Sequence, residues 1–249
     1  MSSDVDTLEP LRAAYRGRLV VCGVPRSGTT ILARVIDSID GAICLPEPIQ
    51  SRARHGAFPL PSGCEQSPDL DGALAALDRR YAIVGFKEPF MVVEGYARAD
   101  NREALARARA AGALFVWIVR HPLRVYNSVK EWGPKFHDVD RFIRNCSHFL
   151  DAMRGATPVV YEQLLVDPIA ELNRATPLRL TGSFRLRPFQ VHGPFAGSQP
   201  ARERARLEPI ERPQRLTEAE VAALERSGLV EAWASFLTSP TVGRECHEA

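Results

Sequence analysis

Residues 18–39, RLVVCGVPRSGTTILARVIDSI, decide the reading of the fold. RLVVCGV (18–24) is a short apolar run ending at a glycine-rich turn, the pattern of a buried strand. TTILARVIDSI (29–39) then sets Ile31, Leu32, Val35, Ile36 and Ile39 at helical spacing, and Thr29 or Thr30 is placed to cap that helix. Strand, loop and helix follow one another with PRSG at the junction. A glycine-rich turn that opens a helix offers several backbone N–H groups to an anion, assisted by the helix dipole. Gly28 lets the backbone approach such a ligand closely. The glycine spacing, Gly23 and then Gly28, is that of a phosphate-binding loop, with one departure. Where a nucleotide triphosphatase carries lysine, this chain has Thr29, and Arg26 stands inside the loop. A Walker lysine reaches the terminal phosphates and the hydroxyl residue after it ligates magnesium. An arginine instead supplies a planar fork suited to a tetrahedral oxyanion. The loop reads as an anion cradle with no clear need for a metal. On this stretch alone, a tight strand–helix turn without a ligand is the alternative.

The rest of the chain repeats the alternation. GAICLPEPIQ (41–50) reads as a short strand followed by a proline-punctuated loop, and 51–68 is loop by composition. DLDGALAALDRR (69–80) reads as a helix, YAIVGFKEP (81–89) as a strand, and NREALARARAAG (101–112) as a helix closed near Gly112. ALFVWIVRHP (113–122) is the strongest strand pattern and ends at Arg120, His121 and Pro122. Helices follow over 123–132 and 138–153, then a strand running into a short helix over 157–168. A loop-like stretch rich in Arg, Pro and Gly spans 182–215. One or two helices close the chain over 217–236, with a capping box between Thr217 and Glu220. Alternating strands and helices predict an α/β fold, a mainly parallel central sheet covered on both faces. A single domain over 1–249 is expected, with an N-terminal extension over 1–17 and loop-rich segments at 51–68 and 182–215. In such sheets ligands collect at the carboxyl ends of the strands. The polar clusters at 25–30, 87–88 and 120–121 all fall there.

Bulk properties narrow the class. The chain has 249 residues, 45% hydrophobic and 25% charged, with a formal net charge of +2. Near-neutrality gives no global signal for nucleic acid, so any basic site is local. The five cysteines, at 22, 44, 64, 146 and 246, form no CxxC pair, which reads as reduced thiols. No apolar run approaches membrane-span length, and residues 1–17 lack the apolar stretch of a signal peptide. A soluble, cytoplasmic protein is expected.

Several side chains have the chemistry for a site, each with a plainer alternative. Arg120, at a strand end, and Ser128, eight residues on in the next helix, could together hold a phosphate. The alternatives are a strand-end ion pair and an exposed helix residue. Glu47, between Pro46 and Pro48, is a candidate base or else a solvated loop residue. Lys87 is a candidate cation or else a surface strand-end lysine. Glu88, beside it, reads as a structural partner or a substrate contact.

Taken together these segments resemble the sulfotransferases that use 3′-phosphoadenosine-5′-phosphosulfate (PAPS). PRSGTT is similar to their 5′-phosphosulfate loop. VRHPLRVYNSV resembles their 3′-phosphate motif, with Arg120 and Ser128 in the two key places. VVYEQLLVDP is similar to a YEDL…DP segment common in the family. GFKEPF resembles the Lys-Asp-Pro-Phe segment of tyrosylprotein sulfotransferases, and CLPEP falls where that subgroup carries its catalytic glutamate. The matches keep the family's order from 20 to 168, about 60% of the chain.

The resemblance implies a P-loop-like sulfotransferase fold and transfer of a sulfuryl group from PAPS to a hydroxyl, with adenosine 3′,5′-bisphosphate (PAP) leaving. It implies Glu47 as base, with Lys87 and Arg26 stabilising the departing phosphate. Pro25, Arg26, Ser27, Gly28, Thr29 and Thr30 would cradle the phosphosulfate, Arg120 and Ser128 would hold the 3′-phosphate, and no metal would be required. The acceptor would be a hydroxyl-bearing small molecule, sugar or peptide, with neither nucleic acid nor membrane as partner. The chain departs from the family in two places. The region after Lys87 lacks the catalytic histidine of the phenol-using enzymes; His55 and His192 lie in loops, and His121 reads as structural. The glycine-rich C-terminal segment is also not clear, and FAGSQPARERAR (195–206), with Ser198 and Arg202, is the candidate replacement at the adenosine end. The alternatives are a small P-loop kinase using ATP and magnesium, and an inactive PAP- or phosphate-binding module.

Overall fold

The computed structural model describes residues 9–91, 101–191, 207 and 212–238. Its strands are β1 (Arg12–Ala13), β2 (Gly17–Gly23), β3 (Ala42–Pro46), β4 (Ile83–Pro89), β5 (Leu114–Val119), β6 (Val159–Val160) and β7 (Leu180–Thr181). Five of them form one sheet in the order β3-β4-β2-β5-β6, and each pairing is parallel. β2 therefore lies in the middle, with later strands added on both sides of it. The two-residue β1 and β7 form a separate antiparallel ribbon, which draws part of the expected N-terminal extension into regular structure.

Side chains along each strand alternate between two apolar cores. Val20, Cys22, Val84, Phe86, Trp117 and Val119 point to one face. There they meet α3 (Leu70–Asp78), α4 (Arg102–Ala110), α5 (Pro122–Val129), α6 (Val139–Ala152), α9 (Glu218–Arg226) and α10 (Leu229–Thr238). Leu19, Val21, Ile83, Val116 and Ile118 point to the other, against α1 (Thr29–Asp37), α7 (Tyr161–Val166) and α8 (Pro168–Ala175). Burial on both faces is why LVVC and LFVWIV are continuous apolar runs rather than alternating ones. Among the described residues no helix is long and apolar enough to cross a membrane.

Three local readings need correction. The segment after β3 is not a loop: Pro48–His55 is a helix, α2, with Pro48 in its first turn. Proline is well tolerated there because the first N–H groups of a helix have no partner within it. The loop therefore starts at Gly56. Neither Thr29 nor Thr30 caps α1; its N-cap is Gly28, in a left-handed conformation with φ 104°. The helix expected over 123–132 ends at Val129 and continues as a 3₁₀ turn, Lys130–Trp132. The Thr217–Glu220 capping box is present at α9.

Candidate active site

The carboxyl ends of β2, β3, β4 and β5 build the site. The loop 24–28 leaves β2 and enters α1, with a Ser27 N–H to Val24 carbonyl bond of 3.1 Å closing its turn. Gly28 is demanded by space as well as by φ. A Cβ there would stand 2.3 Å from Cδ2 of Tyr161, the first residue of α7. Arg26 is also left-handed, with φ 70°, as is Glu47, with φ 49°. Non-glycine residues in this region carry strain of about 1–3 kcal/mol, and such strain concentrates at functional positions.

Arg26 is the hub of one half of the site. Its Nε donates to Ser128 Oγ at 2.7 Å, and its backbone carbonyl accepts from Arg120 Nη1 at 3.2 Å. Arg120 and Ser128 thus both converge on Arg26. The Arg120 guanidinium lies 4.3 Å from the centroid of the Tyr161 ring, a cation–π contact that orients it. Glu131 balances part of the charge. Its Oε2 accepts from Arg26 Nη2 at 3.3 Å and from Arg212 Nη1, and Arg215 Nη2 stands 4.0 Å from Oε1. Burial, then the Arg120 charge, lowers the pKa of Arg26. Burial, then Arg26, Arg120 and Arg215, lowers that of Arg212. Guanidinium groups remain protonated throughout, so these shifts register the cost of burial and, second to it, mutual repulsion. An oxyanion would relieve it. Two buried polar atoms here, Arg120 Nε and Ser27 Oγ, have no hydrogen-bond partner among the described residues, and so retain donor capacity for such a ligand.

The other half is an ion pair. Lys87, 3% exposed in β4, donates from Nζ to Glu47 Oε1 and, at 3.2 Å, to Thr30 Oγ1 at the start of α1. The Glu47 side chain keeps 27% of its surface accessible. A carboxylate, an ammonium and the anion cradle are therefore contiguous. Glu47 owes its place to the β3–β4 pairing, which sets Pro46 opposite Lys87, and to its own N–H, which donates to the Lys87 carbonyl at 2.8 Å.

Other candidates fall elsewhere. Glu88 is wholly buried and bonds the backbone of α2, so it is a structural partner and not a surface for substrate. His55 is the last residue of α2, not a loop residue. Eight residues at 1.5 Å each put it about 12 Å along the helix from Glu47. His121 is the N-cap of α5: its Nδ1 accepts from the Leu123 N–H, and its ring lies 4.5 Å from that of Trp233. Ser198, Arg202 and His192 lie outside the described residues. The sequence reading missed Glu131, Arg212 and Arg215, which join the Arg26 cluster from a 3₁₀ turn and from the C-terminal loop. The Arg-rich character of 182–215 was the only signal for the two arginines, and nothing selected them among the rest.

The chain matches no protein-family profile, and no curated protein matches it in sequence.

Proposed function

We propose that this chain transfers the sulfuryl group of PAPS to a hydroxyl acceptor, releasing PAP, and that its sheet and loop are the P-loop-like sulfotransferase arrangement. The observation that carries the reading is Lys87, whose ammonium joins Glu47 to Thr30 and so sets a base and a cation against the anion cradle. PAPS supplies an activated sulfuryl group on a phosphate leaving group. The protein's part is positioning and charge stabilisation, as in phosphoryl transfer. Arg26 and the backbone N–H groups of Ser27, Gly28, Thr29 and Thr30 hold the phosphosulfate, and Pro25 stiffens the approach to the loop. Arg120 and Ser128, released from part of their present bonding to Arg26, hold the 3′-phosphate. Glu47 accepts the proton of the acceptor hydroxyl, and Lys87 neutralises charge on the departing phosphate.

The test is ligand-induced stabilisation followed by turnover. A ligand at 100 times its dissociation constant adds about 2.7 kcal/mol to stability. PAP without metal is expected to raise Tm accordingly, and PAPS with a panel of phenols, sugars and tyrosine peptides is expected to yield PAP and a sulfated product. Stabilisation by ATP with magnesium in place of PAP would make the chain a kinase. PAP binding with no sulfated product from any acceptor would make it a binding module.

A further inference from the structure

Glu88 is buried completely, yet no step above uses it. Its carboxyl lies across the N-terminus of α2. Oε1 accepts from the Ile49 N–H at 2.7 Å, the Gln50 N–H also bonds the carboxyl, and Oε2 has no partner among the described residues. These are the second and third amides of the helix. The first residue, Pro48, has no N–H, and the N-cap residue, Glu47, makes no side-chain cap. An N-cap side chain ordinarily satisfies those donors itself. Here the N-cap carboxylate is committed to Lys87, and a second carboxyl, from the neighbouring strand, closes the helix in its place. Glu47 is held in a left-handed backbone that an L-residue disfavours, by its N–H to the Lys87 carbonyl and by its own carbonyl, which accepts from Ser51 N–H at 2.7 Å. The first bond extends the β3–β4 pairing, whereas the second is the first turn of α2 and depends on that turn staying formed.

We propose that Glu88 is a positioning residue for Glu47: by capping α2 from β4 it keeps the Glu47 backbone in place, so that the Glu47 carboxylate faces Lys87 and the acceptor hydroxyl rather than the α2 amides. This rests on the reading of Glu47 as the base. The charged and titratable groups facing Glu88 are Glu47, Lys87 and the thiol of Cys22, its register partner on β2. Burial, then Glu47, pushes Glu88 up to about 8, so the neutral acid prevails in neutral solution and glutamine is its near-isostere.

The experiment compares Glu88→Ala and Glu88→Gln with the unaltered full chain, reading kcat, PAP affinity, acceptor KM and amide hydrogen exchange over Ile49–Ser51. Displacing a reacting group by about 1 Å costs up to about 100-fold, so Glu88→Ala is expected to lose about 10- to 100-fold in kcat, and Glu88→Gln to recover to within about threefold. PAP affinity and acceptor KM are expected to stay within about twofold, the split that marks an effect on the chemical step. Exchange at the three amides accelerates in Glu88→Ala. Unchanged exchange, or faster exchange with full kcat, overturns the proposal, and so does a loss shared equally by PAP affinity. Should Glu88→Ala not fold, Glu88→Asp, one methylene too short to span both amides, carries the same readings. An active Glu88→Ala beside an inactive Glu47→Gln sinks the positioning role alone. A fully active Glu47→Gln sinks the base assignment and the positioning role with it.

Discussion

Replacing Glu47 by glutamine isolates the charge of one carboxylate. The side chain keeps its length and an acceptor oxygen for Lys87, and Thr30 Oγ1 still accepts from the same ammonium at 3.2 Å. A hydrogen bond to a charged group contributes about 1.5–3 kcal/mol and the neutral acceptor retains part of it. The Glu47 side chain is 27% accessible but Lys87 is 3% exposed and loses its counter-charge, which glutamine and Thr30 replace in part, so the expected cost in stability is about 1–3 kcal/mol. Domains are stable by about 5–15 kcal/mol, so essentially all of the variant remains folded at 25 °C. Loss of a positioned base is far larger, about 10²–10⁴-fold in kcat, or about 2.7–5.5 kcal/mol of barrier. Because the variant stays folded, instability cannot mimic the catalytic effect. Initial rates of PAP release measure the second, and calorimetric titration with PAP checks that nucleotide affinity is unchanged. An acidic phenol, which needs less help losing its proton, is expected to suffer less than an aliphatic alcohol. Turnover within about threefold of the unaltered chain, on the acceptor that serves it best, would refute the role of Glu47.

Four further outcomes are expected. Arg120→Ala and Ser128→Ala weaken PAPS and PAP binding but leave adenosine 5′-phosphosulfate, which lacks the 3′-phosphate, nearly unaffected; an equal loss for both nucleotides overturns the assignment. EDTA leaves turnover intact, because Arg26, Lys87 and the α1 N-terminus supply the positive charge; abolition with rescue by magnesium points to a kinase. Gly28→Ala forces a Cβ to within 2.3 Å of the Tyr161 ring at φ 104°, so it destabilises by about 2–4 kcal/mol in chemical denaturation, and an unchanged midpoint contradicts the loop geometry. Finally, folded Glu88 holds its proton up to about 8, whereas the unfolded side chain releases it near 4.5. The folded state therefore binds more protons between these values, and stability falls as pH rises through that window. Glu88→Gln removes that slope, and parallel Tm profiles of the two proteins from pH 5 to 8 would count against the raised pKa.

Periodicity made the β2–α1 junction and β5 legible, because strands buried on both faces leave unbroken apolar runs. It failed at α2 for a definite reason. Pro46 and Pro48 bracket Glu47 and were read as loop punctuation, but the second is a first-turn helix proline. Nor is Glu47 a customary N-cap residue, since the cap comes from Glu88, 39 positions after Ile49, whose N–H it accepts. α8 carried a readable signal that went unused: Asp167 caps it through the Ile169 and Ala170 amides, with Pro168 in the first turn. β1 and β7, two residues each, are too short to show a period. Within the site, the residues fixed by strand ends, Lys87 and Arg120, were found. Glu131 and Arg212 were not, because their meeting is made by the fold of a loop 81 positions away.

β4 carries an ammonium and a carboxyl on consecutive residues, and consecutive residues of a strand face opposite ways. Lys87 looks toward α1 and Glu88 toward the core that holds Cys22. The two roles are thus distinguished by parity alone. Inserting a single residue between Ile83 and Lys87 would drive the ammonium against the α2 amides, and deleting one would present the acid to Thr30. The strand guards against this by being paired on both sides, with Lys87 opposite Val21 on one flank and Pro46 on the other. Point substitutions at neighbouring positions should therefore be far better tolerated than any change in the length of this segment. A library of single-residue insertions and deletions across 83–87 should yield folded but inactive chains at best.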